Sequence, residues 1–134
     1  LACMEREEAD CVIGSRFVEK EGFQSSRLRR TGISFLSGLA RVLTGVKVKD
    51  ITSGYRLVNR RFIHIFAQDY PSDYPEPEAV VIAAVHGGRI AEYPVVMRER
   101  ENGESSITFK RSVYYMIKVT LAMLIRRLSF GVRR

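Results

Sequence analysis

The sequence contains no tryptophan, two cysteines, two histidines and four prolines in 134 residues. Cys3 and Cys11 flank an acidic stretch and lack C-x-x-C spacing, which argues against a disulfide framework or a zinc ribbon and leaves reduced thiols as the expectation. No basic segment leading into an apolar one opens the chain, and no uncharged apolar run reaches the roughly 18 residues of a simple membrane span. An ordinary secretory signal is therefore not expected either. Repeats and low-complexity tracts are absent. Acidic residues are in deficit: 15 Asp and Glu stand against 22 Lys and Arg, for a net charge of +7 and a pI of about 9.8. Such an excess points to nucleic acid, an anionic membrane or a phosphorylated substrate.

What is present suits one globular domain, since 46% of the residues are hydrophobic and a chain of this length can bury roughly two-thirds of its unfolded surface. The charge is segregated. Residues 27–67 carry nine basic groups and one acidic, and residues 108–134 carry seven basic and none acidic, while 1–26 and 68–107 are net acidic. Anion binding belongs in the second and fourth blocks.

Residues 1–8 read as the end of a helix, and 10–14 as a short buried strand running into Gly14-Ser15-Arg16, a step typical of α/β architecture. From an N-cap at Ser25 or Ser26, Ile33, Leu36, Ala40 and Leu43 recur at helical spacing up to Gly45, a natural C-cap. The other face carries Arg27, Arg30, Ser34, Ser37 and Arg41. Residues 55–58 predict a strand and 60–67 a helix. Pro77 then suits the first turn of a helix through 85, with Glu76 and Glu78 near its positive end and Gly87-Gly88 as its stop. Residues 89–98 alternate as a strand, with an edge or bulge at Pro94. Residues 102–106 form a loop, and 111–128 a very apolar helix whose polar stripe is Arg111, Tyr115, Lys118 and Arg126.

Arg30 and Ser34, four apart on one helix face, can converge on one anion or can simply form an exposed basic face. Arg16 follows a strand end, where open α/β sheets place ligand-binding residues and where ordinary surface arginines also occur. Asp50-Ile51-Thr52-Ser53-Gly54-Tyr55-Arg56 offers hydroxyls and backbone donors between an acid and an arginine, and reads equally as an Asx or ST turn. His64 and His86 lie in predicted helices without companions and read as structural.

Taken together, Gly-Ser-Arg after a strand, the Arg-x-x-x-Ser helix, Asp-x-Thr-Ser-Gly-Tyr-Arg, Tyr-Pro-Glu-Pro-Glu and Arg-x-x-Gly-x-Ser occur in an order that resembles the C-terminal half of family 2 glycosyltransferases. Within that family the dolichyl- or polyprenyl-phosphate mannose and glucose synthases are most similar. The resemblance covers nearly all of residues 5–125. It implies an α/β fold, the C-terminal portion of a GT-A (Rossmann-like) domain: a small mixed sheet with covering helices and a C-terminal amphipathic helix. It divides the chain into an acceptor-side part, 1–110, and an apolar, basic helix, 111–134, that lies in an interface or packs in an oligomer.

The same resemblance implies that Arg16, Arg30 and Ser34 surround the lipid phosphate and the donor's phosphates. Asp50, Ser53 and Arg56 line the acceptor side, and Arg100, Gly103 and Ser105 form a loop over the site. Glu104-Ser105-Ser106 departs from the Ser-Lys of many relatives. The family holds a divalent metal, Mg or Mn, through an Asp-x-Asp motif in its first half. Glu5 with Glu7 and Glu76 with Glu78 have that spacing but follow no core strand, so no metal ligand is assigned here and the chain by itself is expected to be inactive.

The implied activity is an inverting transfer of a sugar from a nucleotide sugar to a polyprenyl phosphate, in the cytoplasm at the cytosolic face of a membrane. A lipid phosphate, with a second pKa of about 6, is largely ionised at pH 7 and can attack without a base. Asp50 is the candidate base should the acceptor be a hydroxyl. The Gln-x-x-Arg-Trp motif of polysaccharide synthases is missing. A homo-oligomer is expected because half of a GT-A sheet would leave edges or apolar faces uncovered. The alternative is a peripheral membrane-binding module that grips anionic head groups, with Arg126, Arg127, Arg133 and Arg134 at the lipid surface. Nucleic acid is not expected as a partner, because RNP, KH and zinc patterns are absent.

Overall fold

The computed structural model describes residues 2–19, 26–97 and 109–132. Among them the order is α1 (Ala2–Arg6), β1 (Cys11–Ser15), α2 (Arg27–Thr44), β2 (Arg56–Val58), α3 (Arg60–Gln68), α4 (Pro75–Val85), β3 (Ile90–Pro94) and α5 (Phe109–Val132). The architecture is α/β with a small mixed sheet. Its centre is β1, flanked by antiparallel β2 and parallel β3, with Cys11 opposite both Val58 and Ile90. All five β1 residues are buried, as expected of a strand covered on both faces. Gly14 is required sterically, since a β-carbon there would lie 2.5 Å from the Tyr55 ring and 3.0 Å from Val95.

The sequence signals that end α2 act as expected. Ser26 Oγ accepts the Arg29 amide at 3.3 Å, and Gly45, at φ 77°, donates its amide to the Arg41 carbonyl at 2.8 Å. Asn59 caps α3 by accepting the Phe62 amide at 3.0 Å. Helix α4 begins at Pro75 after a left-handed Tyr74 and is buried on nearly every side. It packs against α2 and α5. Ile13, Leu36, Ile51, Val81 and Met123 form the centre of the shared core.

Two expectations change. The strand expected over 89–98 is shorter, Ile90–Pro94, and its pairing with β1 closes where the Val95 amide donates to the carbonyl of Ser15, the last residue of β1, at 3.0 Å. Helix α5 is longer than expected, and its Arg126, expected at a lipid surface, pairs with Asp69 at 2.5 Å and with Glu78. Arg127 Nε donates to the Leu43 carbonyl at 2.8 Å. That bond and the 3.3 Å approach of Met116 Sδ to the β-carbon position of Gly32 fix α2 and α5 side by side and parallel. Arg133 and Arg134 lie outside the described residues.

Candidate functional site

Strands β1 and β3 are parallel, so Arg16 and Val95 leave the sheet at the same end, and β2 enters there through Arg56. The loop of residues 49–55 folds across that end. Crevices at the carboxyl ends of parallel strands are the usual ligand sites of such sheets.

Arg16 and Asp50 are joined there. Arg16 Nε and Nη2 reach the two Asp50 carboxylate oxygens at 2.7 Å each, and the Arg16 amide adds a third bond at 3.1 Å. Arg16 is 8% exposed and Asp50 0%. Arg16 Nη2 also reaches Thr52 Oγ1 at 3.3 Å, and its guanidinium lies 5.2 Å from the Phe17 ring centre.

The rest of the loop is clasped from within. Ser53 Oγ donates to the Gly14 carbonyl at 2.6 Å and accepts the Tyr55 amide at 3.3 Å. The half-buried Arg56 spans the loop, donating to the Ser53 carbonyl at 2.8 Å and the Ile51 carbonyl at 2.9 Å. Burial pushes its guanidinium pKa down, and the nearby Cys11, Tyr70, Glu76 and Asp50 oppose that shift. Ser53 and Arg56 thus hold the loop's own backbone.

Glu92 carries no role in the sequence reading, yet it anchors this loop. Its Oε2 accepts the Lys49 amide and its Oε1 the Asp50 amide, both at 2.9 Å. A glutamate in an alternating strand gives no sequence signal of such a contact, because its partners lie 42 and 43 residues away.

Beside this cluster runs a cleft of about 980 Å³, with the polar face of α2 as one wall and Phe17, residues 47–49 and Glu92 as the other. Arg27, Arg30, Arg41, Lys47 and Lys49 line it, together with the hydroxyls of Thr31, Ser34 and Ser37. Among the described residues, none of these five cations has a carboxylate within ion-pair distance. Elsewhere Arg6, Arg16, Arg89 and Lys118 each have one and Arg126 has two, while Arg29, Arg60, Arg61, Lys110 and Arg127 have none among the described residues. A like-charged cluster left unpaired in a concave surface is a receptor for anions.

The structure therefore brings Arg30 and Ser34 to the cleft and keeps Arg16, Asp50, Ser53 and Arg56 in the bonded cluster next to it. Arg100, Gly103 and Ser105 lie outside the described residues. Of the acidic pairs, Glu78 is bound by Arg126, and Glu76 lies near Gly54. Among the described residues no three His, Cys, Asp or Glu side chains converge as metal ligands. His86 Nδ1 sits 2.9 Å from the Ile82 carbonyl, and its ring meets Phe130 edge-on.

Over 104 residues, 75% of its length, the chain is 34% identical to an undecaprenyl-phosphate mannosyltransferase of Micrococcus luteus. Over 115 residues, 83% of its length, it is 31% identical to a polyprenol monophosphomannose synthase of Mycolicibacterium smegmatis. The chain is a homologue of polyprenyl-phosphate mannose synthases. It spans 43% of the length of each of these relatives. No family model and no solved structure matches it. In this homologue the Arg30–Ser34 face lines one wall of the cleft and residues 47–49, which lead into the Asp50–Arg56 motif, line the other.

Proposed function

We propose that this chain forms the acceptor side of a family 2 glycosyltransferase of GT-A fold that moves a sugar from a nucleotide sugar to a polyprenyl phosphate, at the cytosolic face of a membrane. The observation that carries this reading is the end of the cleft where Arg27 and Arg30, with no carboxylate partner among the described residues, stand beside Ser34. A lipid phosphate seated there would meet the guanidinium of Arg30 and the hydroxyl of Ser34, one turn apart.

In the reaction, a phosphate oxygen of the acceptor attacks the anomeric carbon, the new C–O bond forms, and the bond to the nucleoside diphosphate breaks with inversion. The acceptor is already an anion at neutral pH, so no proton must be removed. Both Asp50 oxygens are engaged by Arg16, so on this reading Asp50 holds the loop and does not act on the acceptor. The Arg16–Asp50 pair is close to neutral as a unit, so Arg27 and Arg30 supply the positive field that lowers repulsion between the two phosphorylated substrates. The nucleotide and a divalent metal, Mg or Mn, would be held by residues outside this chain. Arg100, Gly103 and Ser105 are proposed as further substrate-binding residues. On this reading the isolated chain has no activity.

The membrane is proposed as the surface from which the acceptor is drawn. Among the described residues no helix is long and apolar enough to cross a bilayer. Leu28, Phe35 and Val42 on α2, and Ile117, Leu121 and Leu128 on α5, are exposed. They recur at helical spacing on parallel neighbours, which gives one apolar face bordered by the cationic cleft, the pattern of an interfacial surface. A homo-oligomer through the same face is the competing occupant. The functional reading is tested with the intact enzyme by offering polyprenyl phosphate and the unphosphorylated polyprenol with a nucleotide sugar. Transfer to the phosphate alone is expected, and equal transfer to the alcohol would overturn it.

A further inference from the structure

The cleft is longer than one phosphate requires. Arg30 and Arg41 share a face of α2 but stand 11 residues apart, about 16 Å along the helix axis. A phosphate monoester carries at most about two negative charges, and Arg27, Arg30 and Ser34 at the near end already suffice for it. Arg41, Lys47 and Lys49 at the far end are surplus to the acceptor.

The backbone that carries Lys49 is also held in place. In the segment after Gly45, Val48 is buried while Lys47 and Lys49 are exposed on the cleft side. The Lys49 backbone is fixed at both ends: its amide donates to Glu92 at 2.9 Å, and its carbonyl accepts Ser37 Oγ–H at 3.3 Å. Glu92, the acidic residue in the cleft wall, spends both oxygens on amides. Val42 follows Arg41, about 100° further round the helix, and is 84% exposed.

We infer that the Arg41–Lys47–Lys49 end of the cleft is a second anion site, distinct from the acceptor site, and that it takes the headgroup phosphate of an anionic bilayer phospholipid. A free phosphate would match the charge alone, whereas a phospholipid also covers the apolar surface at Val42. Unlike the acceptor, this lipid is not consumed; it holds α2 in the membrane plane so that the Arg30 end opens at headgroup level. The inference rests on the membrane reading above.

The test is flotation of the protein with vesicles of phosphatidylcholine, of phosphatidylcholine with phosphatidylglycerol, and of phosphatidylcholine with polyprenyl phosphate. It compares wild type with R41Q/K47Q/K49Q and with R30A/S34A, each checked for an unchanged circular dichroism spectrum. Each basic residue near an anionic surface contributes about fivefold in affinity. The triple variant is therefore expected to lose tenfold or more of the binding that phosphatidylglycerol adds and to keep the binding that polyprenyl phosphate adds. R30A/S34A is expected to do the reverse. Undiminished binding of the triple variant to phosphatidylglycerol overturns the second site and leaves the membrane reading intact, as does wild-type binding equal on neutral and anionic vesicles. Failure of the wild type to float with any vesicle overturns both. Protection of Arg41, Lys47 and Lys49 by inorganic phosphate but not by phosphatidylglycerol overturns the lipid as its source.

Discussion

Arg16 and Asp50, 34 residues apart, close a buried ion pair through two side-chain bonds of 2.7 Å and one backbone bond of 3.1 Å. Taking away one partner strands the other charge away from water. Asp50→Ala is expected to lower the unfolding free energy by about 3–5 kcal/mol, and joint replacement with Arg16→Met by much less. Urea denaturation of wild type and both variants measures this. Wild-type stability in Asp50→Ala would show that the pair does not hold the loop to the sheet.

Glu92 sets where that loop begins, because each of its oxygens holds one backbone amide. Glu92→Gln retains one acceptor but turns an NH2 group toward the other amide. A loss of about 1–3 kcal/mol is expected. Hydrogen exchange should accelerate at the amides of Lys49 and Asp50 more than elsewhere, and unchanged exchange at both would contradict the assignment.

Tyr115 makes stability depend on alkaline pH. Its phenol pKa is pushed up to about 12, first by burial and then by Glu76. Between the ordinary value of 10 and that value, the folded chain keeps a proton that the unfolded chain has released. The stabilisation is therefore complete below pH 10 and is lost as pH rises from 10 to about 12. Burial raises the Cys11 thiol pKa too, in the same sense. Thermal melts across this range should fall more steeply in wild type than in Tyr115→Phe, and parallel slopes would contradict the shift.

Much of this was legible from local signals. Ser26 and Gly45 act on their own backbone or on the next few residues, and they mark the ends of α2 as the sequence sets them; α4 begins at Pro75, two residues before the Pro77 that the sequence places in its first turn. Arg30 and Ser34 were legible because one helix turn brings them together. Contacts between distant segments were not. Arg126 in a basic terminal block reads as a lipid contact, but its charge answers Asp69 and Glu78, 57 and 48 residues earlier. Likewise Lys47 and Lys49 look like ordinary surface lysines until the fold sets them across from Arg41.

The central claim is that the cationic face of α2 receives the phosphate of a lipid acceptor. Steady-state transfer by the intact enzyme carrying Arg30→Ala, with polyprenyl phosphate as the varied substrate, tests it most directly. Turnover is expected to fall by roughly a hundredfold or more, the scale of one lost electrostatic stabiliser, and by less in Ser34→Ala. Near-normal turnover and an unchanged KM for polyprenyl phosphate in Arg30→Ala would contradict it.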